Sequence, residues 1–321
     1  MHKEAPLWTP SAELIRSSPM TAFMREAARL SGQPIEDYPA LHRWSVEDRA
    51  AFWTLIWDFC AVIGERGERA LENGDRMPGA SFFPDARLNF AENLLRKTGE
   101  EDAILFRGED KVERRLSWDE LRALVSRMQQ LFKANGVKAG DRVAAMMPNM
   151  PETVAGMLAA ASLGAIWSSC SPDFGVQGVL DRFGQIEPVI FIAPDGYWYG
   201  GKRFEVADKT AEVLKALPSV KRAFIVDYLG EARDAAARME RADALDDALA
   251  PYQSAELTYE RLPFAHPLYI LFSSGTTGVP KCIVHSAGGT LLQHLKEHRL
   301  HAGIREGDRV FYFTTCGWMM W

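Results

Sequence analysis

The chain has 321 residues, of which 47% are apolar and 25% are charged. This is an ordinary globular composition, and the length suffices for one large domain or two smaller ones. Lysine and arginine number 37 against 43 acidic residues, which gives a net charge of −6 without a basic run. Nucleic-acid binding is therefore not expected, because it requires a clustered basic face.

The cysteines and the apolar stretches bear on the cellular compartment. The spacing of the four cysteines includes no C-x-x-C pair, which argues against a metal knuckle or a disulfide framework and fits reduced thiols. The N-terminus lacks the apolar core of a signal peptide, and the longest apolar stretch, 154–167, is too short to span a bilayer. We expect a cytoplasmic protein without a membrane segment, and the sequence leaves its oligomeric state open.

Residues 1–98 are predicted to form a helical N-terminal cap and a linker. A short amphipathic helix is expected near 21–30, between proline breaks. A second helix is predicted over 46–63, opened by Ser45 with Asp48 three residues later, a pattern close to a capping box. Its many large apolar side chains indicate that it is covered on most sides.

From residue 99 onward the pattern changes to alternating strands and helices. Ser117 and Glu120 form a capping-box pattern at the start of the first of these helices, and Asn135-Gly136 ends it. The alternation predicts an α/β fold with mostly parallel sheets and flanking helices over 99–321. The predicted strands are 102–106, 142–147, 188–192, 222–226, 268–272 and 309–313, and the predicted helices are 118–134, 152–163, 176–186, 207–216 and 287–301.

Two segments of this region are similar to each other. Residues 136–143 (GVKAGDRV) match residues 303–310 (GIREGDRV), each after a predicted helix and before a predicted strand. The match implies two similar α/β halves, whether by duplication or by reuse of a common helix–turn–strand solution. Residues 228–256 contain few large apolar side chains and are expected to be exposed helix or loop.

The segment between the predicted strand 268–272 and a second apolar run at Cys282 is the main candidate site. It holds four hydroxyls, two glycines and one lysine, a composition suited to wrapping polyphosphate with amides, hydroxyls and an ammonium. A polar hairpin turn is the alternative, because these are also turn residues. A Walker A loop is excluded, since Pro280 replaces the required glycine and Cys282 replaces the magnesium-binding hydroxyl.

The sequence of this loop, SSGTTGVPK, resembles the phosphate-loop signature of the adenylate-forming superfamily of acyl-CoA synthetases, peptide-synthetase adenylation domains and luciferases. The resemblance implies a carboxylate that attacks the α-phosphorus of ATP, followed by transfer of the acyl group to coenzyme A, with Mg2+ and the loop neutralising the leaving pyrophosphate. It assigns to the β- and γ-phosphates of ATP the residues Ser273, Ser274, Gly275, Thr276, Thr277 and Gly278, and it gives Lys281 the role of bracing the loop or its anion.

Further segments resemble the acetoacetyl-CoA synthetase family, close kin of acetyl-CoA synthetase, along the whole chain. They are 8–11, 83–94 and 314–321. The resemblance implies an AMP-forming acid–thiol ligase acting on acetoacetate, ATP and coenzyme A. In acetyl-CoA synthetases a Gly-Trp pair is followed by a small Val-Thr pair, which helps line the acyl site, whereas here Trp318 is followed by Met319 and Met320. These three residues are therefore expected to line a different acyl pocket.

Two alternatives to acetoacetate activation stay open. The first is a ligase for another short acid such as acetate or propionate. The second is a non-catalytic nucleotide-binding module of the same fold. The phosphate loop fits all of these functions, because its motif belongs to the whole superfamily.

Residues 197–203 (YWYGGKR) are predicted to form a loop that combines aromatic rings, glycines and two cations. Such a loop suits an adenine ring and phosphates, and a solvated surface loop is the alternative. Acetyl-CoA synthetases have Arg-Gly-Gly-Arg at a coenzyme A contact, where this chain has Tyr199-Gly200-Gly201-Lys202. By this resemblance Lys202 and Arg203 are assigned to coenzyme A.

Several histidines follow the loop. His294, His298 and His301 share one helix face, which could hold zinc, but the glutamate of an H-E-x-x-H motif is absent and a solvated face is expected instead. His285 could contact nucleotide or finish its strand. No metal site is predicted.

The chain stops at Trp321, soon after a predicted buried strand, where natural domains seldom end. The resemblance implies that an absent part supplies the ribose-binding aspartate, the adenine pocket and a small domain with the adenylation lysine. We therefore expect a truncated N-terminal fragment, inactive alone, with no catalytic residue within this chain.

Overall fold

The computed structural model describes residues 6–273 and 278–321. Of the predicted phosphate-loop residues, Ser274, Gly275, Thr276 and Thr277 lie outside the described residues. The chain separates into two compact units: residues up to Ala86 together with Gly289–Phe311, and Arg87–Gly288 together with Tyr312–Trp321. The predicted domains 1–98 and 99–321 stay a prediction.

The first unit is mainly helical and has an aromatic core. The ring of Phe23 meets the rings of Phe52 and Phe59 edge to face, with centroids 5.8 and 5.3 Å away. Such contacts stabilise a core beyond the area they bury. Its elements before Ala86 are α1 Ala12–Ser17, α2 Pro19–Ser31, α3 Tyr38–Glu47, α4 Arg49–Phe59, β1 Gly64–Glu65, β2 Leu71–Glu72 and β3 Ser81–Phe82.

The prediction of one helix over 46–63 is wrong at its start. The chain forms two helices there, and Asp48 separates them as the N-cap of α4, accepting a 3.0 Å hydrogen bond from the backbone N–H of Ala51. Ser45 lies inside α3, where its hydroxyl donates to the carbonyl of His42. Aspartate caps a helix as well as serine does, so the sequence pattern allowed either position.

The second unit is built on a sheet of seven strands in the described part of the chain, in the order β13 (Ala242–Ala244), β12 (Arg222–Val226), β9 (Ile190–Pro194), β7 (Arg142–Met146), β8 (Ile166–Cys170), β15 (Pro267–Phe272) and β16 (Cys282–Ser286). All neighbours are parallel except the edge strand β16, which is antiparallel to β15. The predicted α/β fold with a mostly parallel sheet is confirmed. The elements are β4 Arg87–Leu88, α5 Phe90–Leu94, β5 Asp102–Gly108, β6 Val112–Ser117, α6 Trp118–Ala134, β7 Arg142–Met146, α7 Pro151–Ser162, β8 Ile166–Cys170, α8 Val176–Phe183, β9 Ile190–Pro194, β10 Gly196–Tyr199, β11 Lys202–Glu205, α9 Ala207–Ala216, β12 Arg222–Val226, α10 Ala232–Ala237, β13 Ala242–Ala244, α11 Leu245–Leu249, β14 Leu262–Pro263, β15 Pro267–Phe272 and β16 Cys282–Ser286.

Helix α6 is the clearest success of the sequence patterns. Its capping box is present: the Ser117 hydroxyl accepts from the N–H of Glu120, and the Glu120 carboxylate accepts from the N–H of Ser117. Asn135 ends the helix and Gly136 follows with φ of 75°. A glycine adopts this left-handed conformation without the cost that other residues meet.

Four predictions about strands and core are corrected. Strand β5 pairs antiparallel with β6 outside the parallel sheet. Strand β8 was missed because its apolar residues continue the run of buried helix α7. Residues 228–256 are not merely exposed: α10, β13 and α11 bury alanines and leucines in the core. Residues 309–313 form no strand, because no described segment pairs with them, and four of their five side chains are strongly exposed hydrophobics.

The two similar segments share a backbone turn. The N–H of Lys138 donates to the Asp141 carboxylate at 2.8 Å, and the N–H of Arg305 donates to the Asp308 carboxylate at 2.8 Å. The glycines that flank the turns have φ of 75° and 86° in the first segment and 66° and 86° in the second. Only the first turn leads into a strand, β7. The predicted turn is therefore confirmed in both segments, and the predicted second strand is wrong.

Helix α12 Ala287–Lys296 continues as one π-helical turn, Glu297–His301. This helix begins in the second unit and continues into the first. None of the described helices is both long enough and apolar enough to cross a membrane.

Candidate functional site

The predicted phosphate loop begins where β15 ends. Strand β15 is parallel to β8, so its end before Ser273 lies at the carboxyl edge of the sheet, where open α/β sheets bind ligands. The loop connects β15 to β16, whose pairing places Phe272 opposite Cys282. The N–H of Ser273 donates a 3.1 Å hydrogen bond to the carbonyl of Lys281 and closes the base of the loop. Gly278 has φ of 152°, and the side chain of Lys281 is exposed.

The segment that follows α8 forms contacts with the end of this loop, just before β16. The Gln185 side-chain amide donates a 2.8 Å hydrogen bond to the Pro280 carbonyl, and the Cys282 thiol lies 3.7 Å from the Gln185 side-chain oxygen. The guanidinium of Arg182 lies 4.4 Å from the ring centroid of Phe174 and 5.9 Å from that of Phe272. Sequence reasoning missed both Gln185 and Arg182, because no local pattern connects a side-chain amide just after one helix with a loop 95 residues later.

The predicted acyl-pocket segment lies against the same edge of the sheet. The Cys316 thiol donates a 2.8 Å hydrogen bond to the carbonyl of Met147, just after β7, and the Ser169 hydroxyl on β8 donates to the carbonyl of Cys316. A Cβ at Gly317 would lie 3.0 Å from the backbone nitrogen of Ser171, so glycine permits this close approach. The segment is thus fixed at the carboxyl ends of β7 and β8.

The side chains that follow are open to solvent in the described structure. Trp318, Met319 and Met320 are 52%, 41% and 64% exposed, so they form no enclosed pocket among the described residues. The indole N–H of Trp321 donates a 2.9 Å hydrogen bond to the side-chain oxygen of Asn149, which ties the end of the segment to the loop after β7. Because β8 lies between β7 and β15, this segment and the described start of the phosphate loop at Ser273 lie at neighbouring strand ends.

The predicted loop 197–203 is instead a β-hairpin. Strands β10 and β11 pair antiparallel around Gly200 and Gly201, which have φ of 59° and 73° as a tight hairpin turn requires. Lys202 and Arg203 start the return strand. The Lys202 side chain is exposed, whereas the guanidinium of Arg203 lies 2.5 Å from the Glu231 carboxylate, and this pairing raises the pKa of Arg203.

A buried carboxylate fixes the base of this hairpin. Asp195, between β9 and β10, accepts hydrogen bonds from the backbone N–H groups of Tyr228, Leu229 and Glu231 at 2.8–3.1 Å. Burial raises the pKa of Asp195, while these N–H groups favour its charged form. These hydrogen bonds join the hairpin to the segment that follows β12. Strand β12 is the neighbour of β9 in the sheet.

The histidines after the loop do not form a metal centre in the described structure. The rings of His294 and His298 stack with centroids 5.9 Å apart, and the His301 ring nitrogen lies 3.2 Å from the ammonium of Lys296. His301 and Lys296 line a cavity of about 290 Å3 within the first unit. Within residues 6–273 and 278–321, no group of three or more His, Cys, Asp and Glu side chains could hold a metal ion. His285 lies opposite Tyr269 in the strand register, with ring centroids 5.5 Å apart.

Comparison with known proteins supplies the family. The model of the AMP-binding enzyme family matches residues 91–321, and the model of the acetyl-coenzyme A synthetase N-terminus matches residues 38–94. The chain belongs to the AMP-binding enzyme family. Within this family it is 64% identical, over 323 aligned residues, to acetoacetyl-coenzyme A synthetase of Rhizobium meliloti (strain 1021), covering 100% of this chain and 49% of the relative.

Two further relatives match nearly the whole chain. The solved structure of acetoacetyl-CoA synthetase from Streptomyces lividans matches with a TM-score of 0.91 and 42% identity, over 99% of this chain and 49% of that chain. Malonamoyl-CoA synthetase vrtB of Penicillium aethiopicum is 40% identical over 331 residues, covering 98% of this chain and 45% of the relative. The chain therefore spans about half the length of the relatives it matches. The predicted resemblance to acetoacetyl-CoA synthetases is confirmed.

Proposed function

We propose that this chain carries the phosphate-binding and acyl-binding parts of an AMP-forming ligase that joins acetoacetate to coenzyme A. The similarity to the Rhizobium meliloti enzyme, at 64% identity over the whole chain, carries the proposal. The geometry agrees with it, because the predicted phosphate loop and the segment around Trp318 lie at one carboxyl edge of a parallel sheet.

The phosphate loop is proposed to bind the β- and γ-phosphates of ATP. Ser273 to Gly278 would donate hydroxyl and amide hydrogen bonds, and the exposed ammonium of Lys281 would offset phosphate charge. The sequence from Ser273 to Lys281 contains no carboxylate, so we propose that magnesium arrives on ATP as part of the substrate. Bound there, magnesium supplies neutralisation of the charge that develops on the leaving pyrophosphate.

The proposed reaction has two steps. A carboxylate oxygen of acetoacetate attacks the α-phosphorus of ATP, and the bond from that phosphorus to the oxygen of the β-phosphate breaks, giving acetoacetyl-AMP, a mixed carboxylic–phosphoric anhydride, and pyrophosphate. The thiol of coenzyme A then attacks the acyl carbon, loses its proton and displaces AMP. This chain would contribute to the first step by holding the outer phosphates in line with the acid, which is catalysis by positioning and charge stabilisation.

The segment Trp318, Met319 and Met320 is proposed to face the acyl group, and Lys202 and Arg203 are proposed to contact coenzyme A. Methionine side chains adapt to the shape of a small apolar ligand, which supports the first assignment. The exposure of the Lys202 ammonium supports the second, whereas Arg203 would first have to leave Glu231. A cytoplasmic location is proposed from the sequence alone.

A second candidate function is activation of malonamate. The Penicillium aethiopicum relative, named for that acid, is almost as similar to this chain as the Streptomyces lividans protein is. Acetoacetate and malonamate have the same size and a carbonyl at C3, and they differ in whether that carbonyl carries a methyl group or the amino group of an amide. An apolar lining by Met319 and Met320 favours the methyl group, because an unpaired amide would be costly to desolvate.

A chimera tests the proposal. This chain would be joined to the C-terminal half of the Rhizobium meliloti relative, and acid-dependent exchange of pyrophosphate into ATP would be measured with acetoacetate, malonamate, acetate and propionate. We expect acetoacetate to give the highest exchange. Higher exchange with another acid would contradict the proposed substrate, and ATP binding without exchange for any acid would indicate a non-catalytic module.

A further inference from the structure

The turn of the β10–β11 hairpin presents two backbone amides to one carboxylate. The N–H of Gly200 donates to one side-chain oxygen of Glu109 at 2.5 Å, and the N–H of Gly201 donates to the other at 2.8 Å. Glu109 lies in the turn between β5 and β6, 91 residues earlier in the chain. The carboxylate therefore binds the hairpin turn with both oxygens, as a free anion would.

The backbone of the turn creates this anion site. Gly200 and Gly201 follow one another with φ of 59° and 73°, so their N–H groups converge on one point outside the turn. Successive N–H groups in such a turn form a concave site that favours negative charge. Both glycines are exposed, and the exposed side chain of Lys202 follows directly.

The turn that carries Glu109 is itself held in place. Glu109 has φ of 55°, a left-handed conformation that is uncommon for a residue other than glycine, and the N–H of Lys111 closes the turn on the carbonyl of Gly108 at 3.1 Å. A Cβ at Gly108 would lie 2.1 Å from the hydroxyl of Tyr228, so glycine lets this hairpin pack there. The ammonium of Lys111 lies 5.8 Å from the ring centroid of Trp198, in the other hairpin.

We propose that Glu109 is an internal anion that occupies the Gly200–Gly201 amide pair until a phosphate group of coenzyme A displaces it. The inference rests on the proposed binding of coenzyme A at Lys202. A phosphate carries more charge than a carboxylate and offers more acceptor oxygens, so it can compete for the same two N–H groups.

The neighbouring cations favour this exchange. The ammonium of Lys202 is exposed beside the turn, while the guanidinium of Arg203 is bound by Glu231 and lies 3.5 Å from Glu205. Lys111 is paired with Asp110 at 2.9 Å. A phosphate that replaces Glu109 at the amides would therefore also gain the charge of Lys202. Glu109 acts as a competitor, and its removal should strengthen binding of coenzyme A.

The test compares Glu109→Gln with Asp110→Asn in the 321-residue chain. Both substitutions remove one negative charge from the same turn, but only the first touches the amide pair. Binding of coenzyme A and of 3′-dephospho-coenzyme A is measured by calorimetry, and the amide resonances of Gly200 and Gly201 are followed by nuclear magnetic resonance. We expect Glu109→Gln to tighten coenzyme A binding about two- to fivefold, the range for exposed charge interactions, and Asp110→Asn to change it less than twofold.

The outcomes separate this inference from the function it rests on. Tighter binding by Glu109→Gln, with shifts of the Gly200 and Gly201 resonances on titration, supports it, and loss of the difference with dephospho-coenzyme A identifies the 3′-phosphate as the group bound. Weaker or unchanged binding overturns it, because a merely structural glutamate would loosen the hairpin when removed. If neither protein binds coenzyme A, the proposed coenzyme A contact falls. In that case, titration with inorganic phosphate tests the anion site. Larger shifts of the Gly200 and Gly201 amide resonances in Glu109→Gln than in the unsubstituted chain support it, and equal shifts overturn it.

Discussion

The side-chain amide of Gln185 donates a 2.8 Å hydrogen bond to the carbonyl of Pro280, and this contact joins the end of α8 to the exit of the phosphate loop. The same side chain approaches the thiol of Cys282, the first residue of the return strand. A loop that must bind phosphate with its own backbone needs fixed ends, since ordering it on binding would cost affinity. Gln185 is therefore a positioning residue for the proposed ATP site.

Replacing Gln185 by alanine should weaken binding of magnesium-ATP while leaving the fold intact. Loss of one hydrogen bond to the loop should raise the dissociation constant about threefold. Gln177→Ala is the matched control, because the Gln177 side-chain amide donates to Asp181 on α8 and has no hydrogen bond to the loop residues that the structure describes. Calorimetry with both variants checks the prediction. Equal affinities for the two variants would show that the Pro280 contact does not position the loop.

The four cysteines should differ sharply in reactivity towards iodoacetamide. Cys282 is exposed, whereas Cys60, Cys170 and Cys316 are buried. The reactive form is the thiolate, and burial raises the pKa of Cys316 to about 12 and that of Cys282 above its usual value. A raised pKa lowers the thiolate fraction at a given pH, so modification should be confined to Cys282 and should accelerate as pH rises.

Mass spectrometry after timed alkylation measures this order. Magnesium-ATP should slow modification of Cys282, because that residue adjoins the proposed phosphate site. Modification of Cys316 ahead of Cys282 in folded protein would contradict the packing of the 314–321 segment against Met147.

Asn89 should be among the most sensitive positions for stability. Its buried side-chain amide donates to the carbonyls of Ala161, Ser162 and Glu260 at 2.8–3.2 Å, while its oxygen caps α5 through the N–H of Glu92. Asn89→Ala should lower the free energy of unfolding by about 2–4 kcal/mol, because buried carbonyls lose their donor.

Aspartate at this position distinguishes the two roles of the side chain. As a helix N-cap alone aspartate would be tolerated, but it cannot donate to the three carbonyls. We therefore expect Asn89→Asp to be at least as destabilising as Asn89→Ala in urea unfolding. Asn135→Ala, which removes a half-buried bond to the Leu131 carbonyl, serves as control and should cost about 1 kcal/mol or less. A stable Asn89→Asp variant would show that the donor role is unimportant.

Met319→Val with Met320→Thr should shift the acid preference of the chimera. Acetyl-CoA synthetases carry valine and threonine at these two positions. Smaller side chains there suit a smaller acid. One lost methylene contact typically changes discrimination about tenfold, so we expect the acetate-to-acetoacetate exchange ratio to rise by about that factor. An unchanged ratio, with normal ATP binding, would remove these methionines from the acyl site.

The sequence predicted those elements of the fold that depend on local features and missed those that depend on contacts with distant segments. Helix α6 followed from its own capping box and its Asn135-Gly136 end, which are local features. Strand β8 was hidden because α7 is buried on nearly all sides and shows no helical periodicity that would separate the two. The error at 309–313 has the opposite origin: the run has strand composition, but pairing depends on a partner and not on composition.

The candidate site was predicted in its parts and not in its assembly. The proposed phosphate loop rests on a motif and the proposed role of Trp318 rests on resemblance to a family, and both stay predictions. Their placement on neighbouring strand ends depends on the order of β7, β8 and β15, which sequence patterns do not give. Glu109 was missed altogether, because its role arises only when two hairpins meet.

The central claim is that the loop from Ser273 to Lys281 binds the outer phosphates of ATP, and calorimetric titration of magnesium-ATP into Lys281→Ala tests it most directly. Lys221→Ala is the control, since Lys221 is also exposed and directly precedes β12, at the edge of the sheet opposite the one where the loop begins. Loss of a charge-assisted contact should raise the dissociation constant about tenfold in Lys281→Ala, with unchanged unfolding free energy and unchanged affinity in the control. Wild-type affinity in Lys281→Ala would contradict the account.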